Sequence, residues 1–370
     1  MRTQVSELLH STKEKYSLVL HSGEEGLTNS VSWVYLAEDF QNISFLKGGE
    51  LVITTGLFTR SGISLSKFIC ALVTRNCSGI LINVGRYIDI PDLTEEILEF
   101  CRSNKFPLIT MPWKIHLIDI MQDYCRTLLK STQTMDLLNA AFESAICQKP
   151  LQENTLLTLN QHGFPTEAEY RMIVIRNLRK TESITFSLNH RNLKYHLFEH
   201  DHRHILIYRS TQALLSEILD ILLFCDSITL GISSLFHSLK EFDLCCKQAC
   251  FALACASYWC IPSVNFDDLG IFQILFSSSD PEMLKNIYRS SLGKLENFDT
   301  AHDSDYMETL RTFLLSDCNL LETAEKMHAH RNTIIYRLKK IKDILGTELD
   351  NSRIKFDLLT AFYIREYFLI

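Results

Sequence analysis

Between Asn319 and Gly346 two short helical patterns follow one another with only His328-Ala329-His330 between them. Asn319 is a natural N-cap, and Glu322 stands three residues on, in the capping-box arrangement. Leu321, Ala324 and Met327 form the apolar stripe of the first pattern, and the small Ala324 lets a second helix approach closely. The second pattern carries Ile334, Leu338, Ile341 and Leu345 at spacings of four, three and four, and Gly346 supplies its stop. Two short helices, a tight turn and a small residue in the first helix describe a helix-turn-helix. It lies in a segment, residues 303–370, that reads as all helix: Asp305–Leu315, Leu320–Met327, Arg331–Leu345 and Ile354–Leu369.

Charge sharpens this reading. From Lys326 to Lys342 there are six Lys or Arg and no Asp or Glu. At about 100° per residue, Asn332, Tyr336, Lys339 and Lys340 lie opposite the apolar stripe, with Thr333 beside them. Asn suits a bidentate contact to adenine, and Lys or Arg reaches guanine or phosphate. Arg331 and Asn332 begin the helix, the end that enters the major groove in such motifs. Arg337 and Lys342 fall nearer the buried edge, where phosphate contact and an internal ion pair compete with base reading. Residues 303–370 hold ten basic against eleven acidic side chains, so the basic face is local. The bland alternative is a small helical bundle with a solvated basic face, or an adaptor that binds protein there. The turn length, the small residue and the acid-free helix favour duplex DNA.

The whole chain of 370 residues has a formal net charge of −7, which excludes a uniformly basic nucleic-acid coat. Hydrophobic residues make up 46% and charged residues 22%, an ordinary globular composition with room for two to four domains. The opening Met1-Arg-Thr-Gln-Val-Ser-Glu7 has no apolar h-region, and no stretch approaches the roughly 20 apolar residues of a membrane span. The nearest, Leu214 to Cys225, is broken by Glu217 and Asp220. Twelve cysteines without a secretory signal point to free thiols in a reducing cytoplasm.

Residues 1–130 alternate strand and helix. Ser17–His21, Val31–Leu36, Glu50–Thr54 and Gly79–Asn83 read as strands, and Leu65–Arg75 and Leu93–Arg102 as helices, the second capped by Asp92. This predicts an α/β domain. Gly48-Gly49-Glu50 and Thr54-Thr55-Gly56 frame one strand, and Gly85-Arg86 follows another. Strand ends of α/β sheets are where small ligands bind, so Glu50, Thr54, Thr55, Gly56 and Arg86 are candidate effector contacts; turn glycines and a structural threonine are the bland alternative.

A long helical pattern spans Ile115 to Cys147 within residues 115–150, its apolar residues at Ile115, Ile118, Met121, Cys125, Leu128, Leu138, Ala141, Phe142 and Ala145. It is expected to connect domains or make a dimer contact, and Pro150 ends it. Residues 151–295 read as an α+β unit: a strand at Arg171–Arg176, a hairpin of Leu193–Glu199 and His204–Tyr208, a helix at Gln212–Phe224, a strand at Ser227–Ile232 and a helix at Ser238–Trp259. The histidines at 196, 200, 202 and 204 have strand spacing but no companion ligand, and read as a polar turn. Cys245, Cys246, Cys250, Cys255 and Cys260 fall on one predicted helix as small buried residues.

The stretch Asn319-Leu-Leu-Glu-Thr-Ala-Glu-Lys-Met-His-Ala-His-Arg-Asn-Thr-Ile-Ile-Tyr-Arg-Leu-Lys-Lys-Ile341 closely resembles the C-terminal helix-turn-helix of the PucR family, the purine catabolism regulators. The hallmark His-Arg-Asn-Thr and Tyr-Arg-Leu stand at His330–Thr333 and Tyr336–Leu338. Val31-Ser-Trp-Val34, Gly48-Gly-Glu-Leu-Val-Ile-Thr-Thr-Gly56 and Phe106-Pro-Leu-Ile-Thr-Met-Pro112 are similar to the family's sensory domain, and the middle resembles its GGDEF-like domain. In cyclases of that type a Gly-rich turn admits the nucleotide. Here the corresponding turn reads Glu199-His-Asp-His-Arg203, so a degenerate, non-catalytic domain is implied. The resemblance implies a cytoplasmic transcriptional regulator. Its DNA contacts would include His330, Arg331, Asn332, Thr333, Tyr336, Arg337, Lys339 and Lys340. It would bind as a homodimer or higher oligomer and answer a small effector such as a purine-pathway metabolite. No catalytic residue, metal or cofactor is expected.

Overall fold

The computed structural model describes residues 3–179, 181–191, 193–224 and 227–370. Contacts divide the chain into two compact units, Met1–Ala168 with Glu182–His196, and Glu169–Thr181 with Leu197–Ile370.

The first unit opens with α1 (Val5–Thr12), β1 (Val19–Ser22), β2 (Trp33–Leu36), β3 (Glu50–Thr54), α2 (Leu65–Thr74), β4 (Gly79–Val84), α3 (Glu95–Ser103), β5 (Leu108–Pro112), α4 (Leu117–Cys147) and α5 (Glu153–Gln161). The sheet runs β1-β5-β4-β3-β2; β2 to β5 are parallel and β1 is antiparallel to β5. Leu51, Ile53, Leu81, Ile109 and Met111 point to one core with Val5 and Leu8 of α1 and Ile120, Tyr124 and Leu128 of α4. Val52, Ile80, Ile82 and Leu108 point to the other, with Phe68, Ile69 and Leu72 of α2 and Ile97 and Cys101 of α3. Helices cover both faces, which is why these strands are nearly continuous in apolar residues.

The expected α/β domain is therefore present, with local corrections. Ser17 is left-handed (φ 47), so the first strand starts later, at Val19. The strand β5 lies where the sequence reading saw only a family motif. Asp92 does not cap α3, which begins after Thr94; its carboxylate accepts from the Asp89 N–H at 2.8 Å and closes a preceding turn. The long helix holds, and in its first half Leu128 is buried while Met121 and Cys125, with Ile115 just before the helix, pack against the core as the spacing predicts; Ile118, however, is exposed, and Ile120 and Tyr124, outside the predicted stripe, are buried. Its second half buries Leu138, Ala141, Phe142 and Ala145 as the spacing predicts.

The next elements are β6 (Glu167–Arg176), α6 (Thr181–His190), β7 (Tyr195–His200), β8 (Arg203–Arg209), α7 (Leu215–Leu223), β9 (Thr229–Ile232), β10 (Phe236–Ser238), α8 (Phe242–Tyr258), β11 (Ser263–Asn265), α9 (Ile271–Ser277) and α10 (Pro281–His302). Their sheet has the order β11-β9-β6-β8-β7, with β10 on β6. The predicted hairpin is β7–β8. Its two turn residues, Asp201 and His202, are both left-handed (φ 49 and 57), the conformation a tight two-residue hairpin needs. The helix α8 starts only at Phe242, because Phe236–Ser238 pairs with the sheet first. It ends at Tyr258, so Cys260 lies beyond it. Cys225, the end of the longest apolar run, lies outside the described residues.

Four further helices complete the chain: α11 (Tyr306–Leu315), α12 (Leu320–Lys326), α13 (Arg331–Leu345) and α14 (Ser352–Leu369). They pack on α10 around Leu292, Leu295, Leu310, Phe313, Ile334, Leu338, Ile341 and Phe362. The sequence pattern does not show α10, because only Leu284, Leu292 and Leu295 of its 22 residues are buried. A second core joins Ala252 and Cys255 of α8, Phe272 of α9, Leu284 of α10 and Ile364 of α14. The helical bundle and the α8–α9 layer therefore share one body. No described helix is long and apolar enough to cross a membrane.

Candidate nucleic-acid interface and sheet-edge site

The helix-turn-helix is built from its caps outward. The Asn319 carboxamide accepts from the Leu321 and Glu322 N–H groups at 3.0 and 3.4 Å and starts α12. In α12, Ala324 is buried and Met327 packs against the core as expected, but Leu321 is exposed and Thr323 is buried instead. Thr323 is tolerated inside because its hydroxyl donates to Asn319 O at 2.6 Å. The turn is left-handed at His328 (φ 48), and the Ala329 N–H closes back on Ala324 O at 2.9 Å. His330 then caps α13, its Nδ1 accepting from the Asn332 N–H at 3.2 Å, so the ring proton sits on Nε2. At the far end Gly346 is left-handed (φ 68) and its N–H returns to Lys342 O.

With Ile334, Leu338 and Ile341 inward, α13 leaves Asn332, Thr333, Tyr336, Lys339 and Lys340 exposed along the opposite face, and Arg331 exposed at its N-terminal end. All six predicted residues are exposed, and the N-capping His330 is exposed with them. Arg337 is separate. It is half-buried, and its Nη1 donates to the Thr309 hydroxyl of α11 at 3.0 Å. Two other cations of the segment are engaged locally. Lys326 pairs with Glu322 at 2.7 Å, and Lys342 with Glu348 at 2.8 Å, which holds the Lys342 ammonium above its ordinary range. The free positive charge thus concentrates on Arg331, Lys339 and Lys340. The helix α11 is also fixed from a distance: Asp299 of α10 accepts from the Tyr306 and Met307 N–H groups at 3.0 and 2.7 Å.

In the first unit, the candidate effector residues divide between the two ends of β3. Glu50 is at the start. Its oxygens accept from the Lys47 and Gly48 N–H groups, both at 2.8 Å, so it braces the Gly48-Gly49 turn. Thr54, Thr55 and Gly56 are at the other end. They are organised by Glu38, a residue the sequence reading missed, which follows β2. Its carboxylate accepts from the Thr55 N–H and hydroxyl, both at 2.8 Å, and from the Leu57 N–H at 3.2 Å. Its position just after the predicted strand Val31–Leu36 was the available signal. Gly56 is left-handed (φ 86), and a Cβ there would sit 2.5 Å from Ile88 Cδ1. Arg86 reaches the same edge, its guanidinium 5.3 Å from the Tyr87 ring and 5.1 Å from the Trp113 ring. The strand order does not reverse between β3 and β4, so this edge is a rim rather than a crevice.

The histidines do not gather. His196 is buried, stacked on Phe142 at 5.1 Å, with Nε2 2.8 Å from Asn139 Oδ1; burial pushes its pKa down to about 3. Among the described residues no group of His, Cys, Asp or Glu is placed to hold a metal. The described cysteines are free thiols, and burial pushes Cys77 and Cys101 up to about 12.

Comparison with known proteins fits this division. Residues 7–128 match the purine catabolism regulatory protein-like (PucR) family, and residues 306–364 match the PucR C-terminal helix-turn-helix domain. The chain carries both terminal domains of the PucR type. Among relatives, the DNA-binding transcriptional activator AdeR of Bacillus subtilis is 37% identical over 92 residues, 25% of this chain and 22% of that protein. The purine catabolism regulatory protein of the same organism is 40% identical over 68 residues, 18% of this chain and 13% of that protein. Its proline-responsive transcriptional activator PutR is 28% identical over 89 residues, 24% of this chain and 22% of that protein. The matches thus span less than a quarter of these relatives' length. A crystal structure of a regulator of polyketide synthase expression from Bifidobacterium adolescentis aligns over 63% of this chain and 98% of its own, at 18% identity and a TM-score of 0.35. The PucR helix-turn-helix match contains every residue of the exposed basic face, and the PucR N-terminal match contains the whole rim.

Proposed function

We propose that this chain is a sequence-specific DNA-binding transcriptional regulator and that α13 is its reading helix. One observation carries the reading. Arg331, Asn332, Thr333, Tyr336, Lys339 and Lys340 are exposed together on α13, while its apolar side is locked into the bundle. Asn332 at the first turn suits an adenine edge; Lys339 and Lys340 suit phosphate or guanine. Arg337 acts chiefly through Thr309, by holding the helix. One such motif offers little contact area, so the protein binds as a homodimer on two half-sites.

The N-terminal domain senses a small molecule, and the relatives' names support that class of input: one is called proline-responsive and another a regulator of purine catabolism. A purine-pathway metabolite is one candidate. The middle domain is a degenerate GGDEF-like relay rather than an enzyme. Its hairpin turn holds Asp201 and His202 where a cyclase has the glycines that admit a nucleotide. The protein works in the cytoplasm.

The test is fluorescence anisotropy of the full-length protein on duplexes from its own upstream region and a scrambled control, at two salt concentrations. Tight, salt-sensitive and sequence-selective binding is expected. No binding to either duplex, with or without candidate effectors, would move the basic face of α13 to a protein partner.

A further inference from the structure

Two guanidiniums and two rings converge on the sheet edge of the first unit. Arg60 Cζ lies 5.0 Å from the Tyr87 ring centroid. Arg86 Cζ lies 5.3 Å from the same ring and 5.1 Å from that of Trp113. The two rings meet edge to face, 6.1 Å apart. The four side chains come from the segments that follow β3, β4 and β5. Because these strands are parallel neighbours, their C-terminal ends deliver the group to one edge.

The frame beneath is tied down. The Trp113 N–H donates to Val84 O at 2.8 Å and the Gly85 N–H to Ile88 O at 2.9 Å. The buried Asn83 amide donates to Pro112 O at 3.0 Å, fixing the end of β4 to β5. Gly56, for its part, leaves just the room that Ile88 fills.

Charge is unbalanced here. Neither Arg60 nor Arg86 has a carboxylate partner among the described residues. Glu38 spends its oxygens on Thr55 and Leu57, and the Asp92 carboxylate takes the Asp89 N–H. Two like charges on one ring repel, and a ring face offsets this only in part. An anion relieves the repulsion. A guanidinium presents a planar fork that matches a carboxylate, and Tyr87 and Trp113 offer faces and edges to a flat ring.

We infer that this edge is a binding site for a small aromatic or heteroaromatic carboxylate, held by Arg86 and Arg60 with its ring against Trp113 and Tyr87. The site deepens the effector reading above and rests on it for regulatory meaning, but its occupancy is measured independently of DNA.

The experiment is isothermal titration of the full-length protein with benzoate and with nicotinate. Nicotinamide serves as the flat neutral control and cyclohexanecarboxylate as the non-planar anion. The two aromatic carboxylates are expected to bind, and both controls to bind at least tenfold more weakly. Arg86→Gln should weaken benzoate binding at least tenfold, since it removes a charge-assisted contact, and Arg60→Gln should weaken it several-fold. Both positions are exposed, so folding is retained, and circular dichroism checks it. Absence of binding by benzoate and nicotinate at millimolar concentration overturns the inference. So does affinity left unchanged by both substitutions. DNA affinity is measured in parallel. Carboxylate binding that leaves DNA affinity unchanged keeps the site and removes its regulatory role. A different small molecule that shifts DNA affinity while the carboxylates do not bind removes the site and keeps the effector reading.

Discussion

Lys340 and Arg337 lie on the same helix with the same charge, yet their surroundings predict opposite phenotypes. Lys340 is exposed on the face of α13 that also carries Asn332 and Tyr336. Arg337 is half-buried and donates to Thr309 at 3.0 Å. If Lys340 neutralises one phosphate, Lys340→Ala removes about 0.9 from the slope of log affinity against log salt. Between 50 and 200 mM salt that single contact is worth roughly a threefold to fourfold change in affinity, so the variant converges on wild type as salt rises. The loss should be the same on cognate and scrambled duplexes, because phosphates carry no sequence.

Arg337→Ala should leave the slope nearly unchanged. It loses a hydrogen bond from a charged donor, about 1.5–3 kcal/mol for a buried case and about 1–2 kcal/mol after discounting its partial exposure. That corresponds to a melting temperature lower by a few degrees. The assay is anisotropy at four or more salt concentrations, with thermal unfolding of both variants. An Arg337→Ala variant of unchanged stability but flattened slope would refute the reasoning, since Arg337 would then leave Thr309 for the DNA. A Lys340→Ala variant with the wild-type slope would remove this face from the phosphate backbone.

Three further outcomes are expected. Asn332→Ala should relax sequence preference and cost roughly 1–3 kcal/mol on the cognate duplex only; equal losses on cognate and scrambled duplexes would deny it a base contact. Gly56→Ala should destabilise the first unit by at least about 1 kcal/mol in urea unfolding, because a left-handed alanine must also displace Ile88. His196, held neutral by burial down to about 3 against an ordinary value near 6.5, gives the folded state stability that is full above pH 6.5 and falls as pH drops toward 3, when only the unfolded chain takes the proton. The loss is about 2 kcal/mol between pH 7.5 and 5, and His196→Gln should remove that pH-dependent component; parallel pH profiles for the two proteins would contradict the assignment.

Legibility of the sequence followed the kind of force involved. Ile334, Leu338 and Ile341 were readable because a helix repeats every 3.6 residues and only one face is dry. Glu50–Thr54 was readable because both sheet faces are covered and five consecutive residues are buried. Where a polar residue is buried, the pattern misleads. Thr323 replaces Leu321 inside α12 because its hydroxyl is satisfied by Asn319 O, which no periodicity encodes. Glu50 and Glu38 are the same residue type beside similar turns, and only the parallel pairing of β2 and β3 puts Glu38, not Glu50, at the end that holds Thr55. Of the rim, Thr54, Thr55, Gly56 and Arg86 were readable as strand-end residues, whereas Arg60 and Trp113 join Tyr87 there only through strand order.

The setting of α13 depends on charged residues inside the bundle. Charged residues in a helical segment look like solubilising surface when counted in one dimension. Here several of them are braces between helices. Glu366 of α14 accepts from the Trp259 indole at 2.8 Å, just past α8, and pairs with Arg311 of α11 at 3.6 Å. Two residues before Arg311, Thr309 receives Arg337 from α13. The Thr309 hydroxyl in turn donates to Asp305 O at 2.8 Å, which anchors the start of α11, and Asp299 of α10 holds the same helix end. Hydrogen bonds and ion pairs therefore run from the α8 layer through α14 and α11 to α13. A change at any of these links alters the setting of α13 without touching the residues that would meet DNA. The charges on the inner face of the bundle therefore decide where α13 stands.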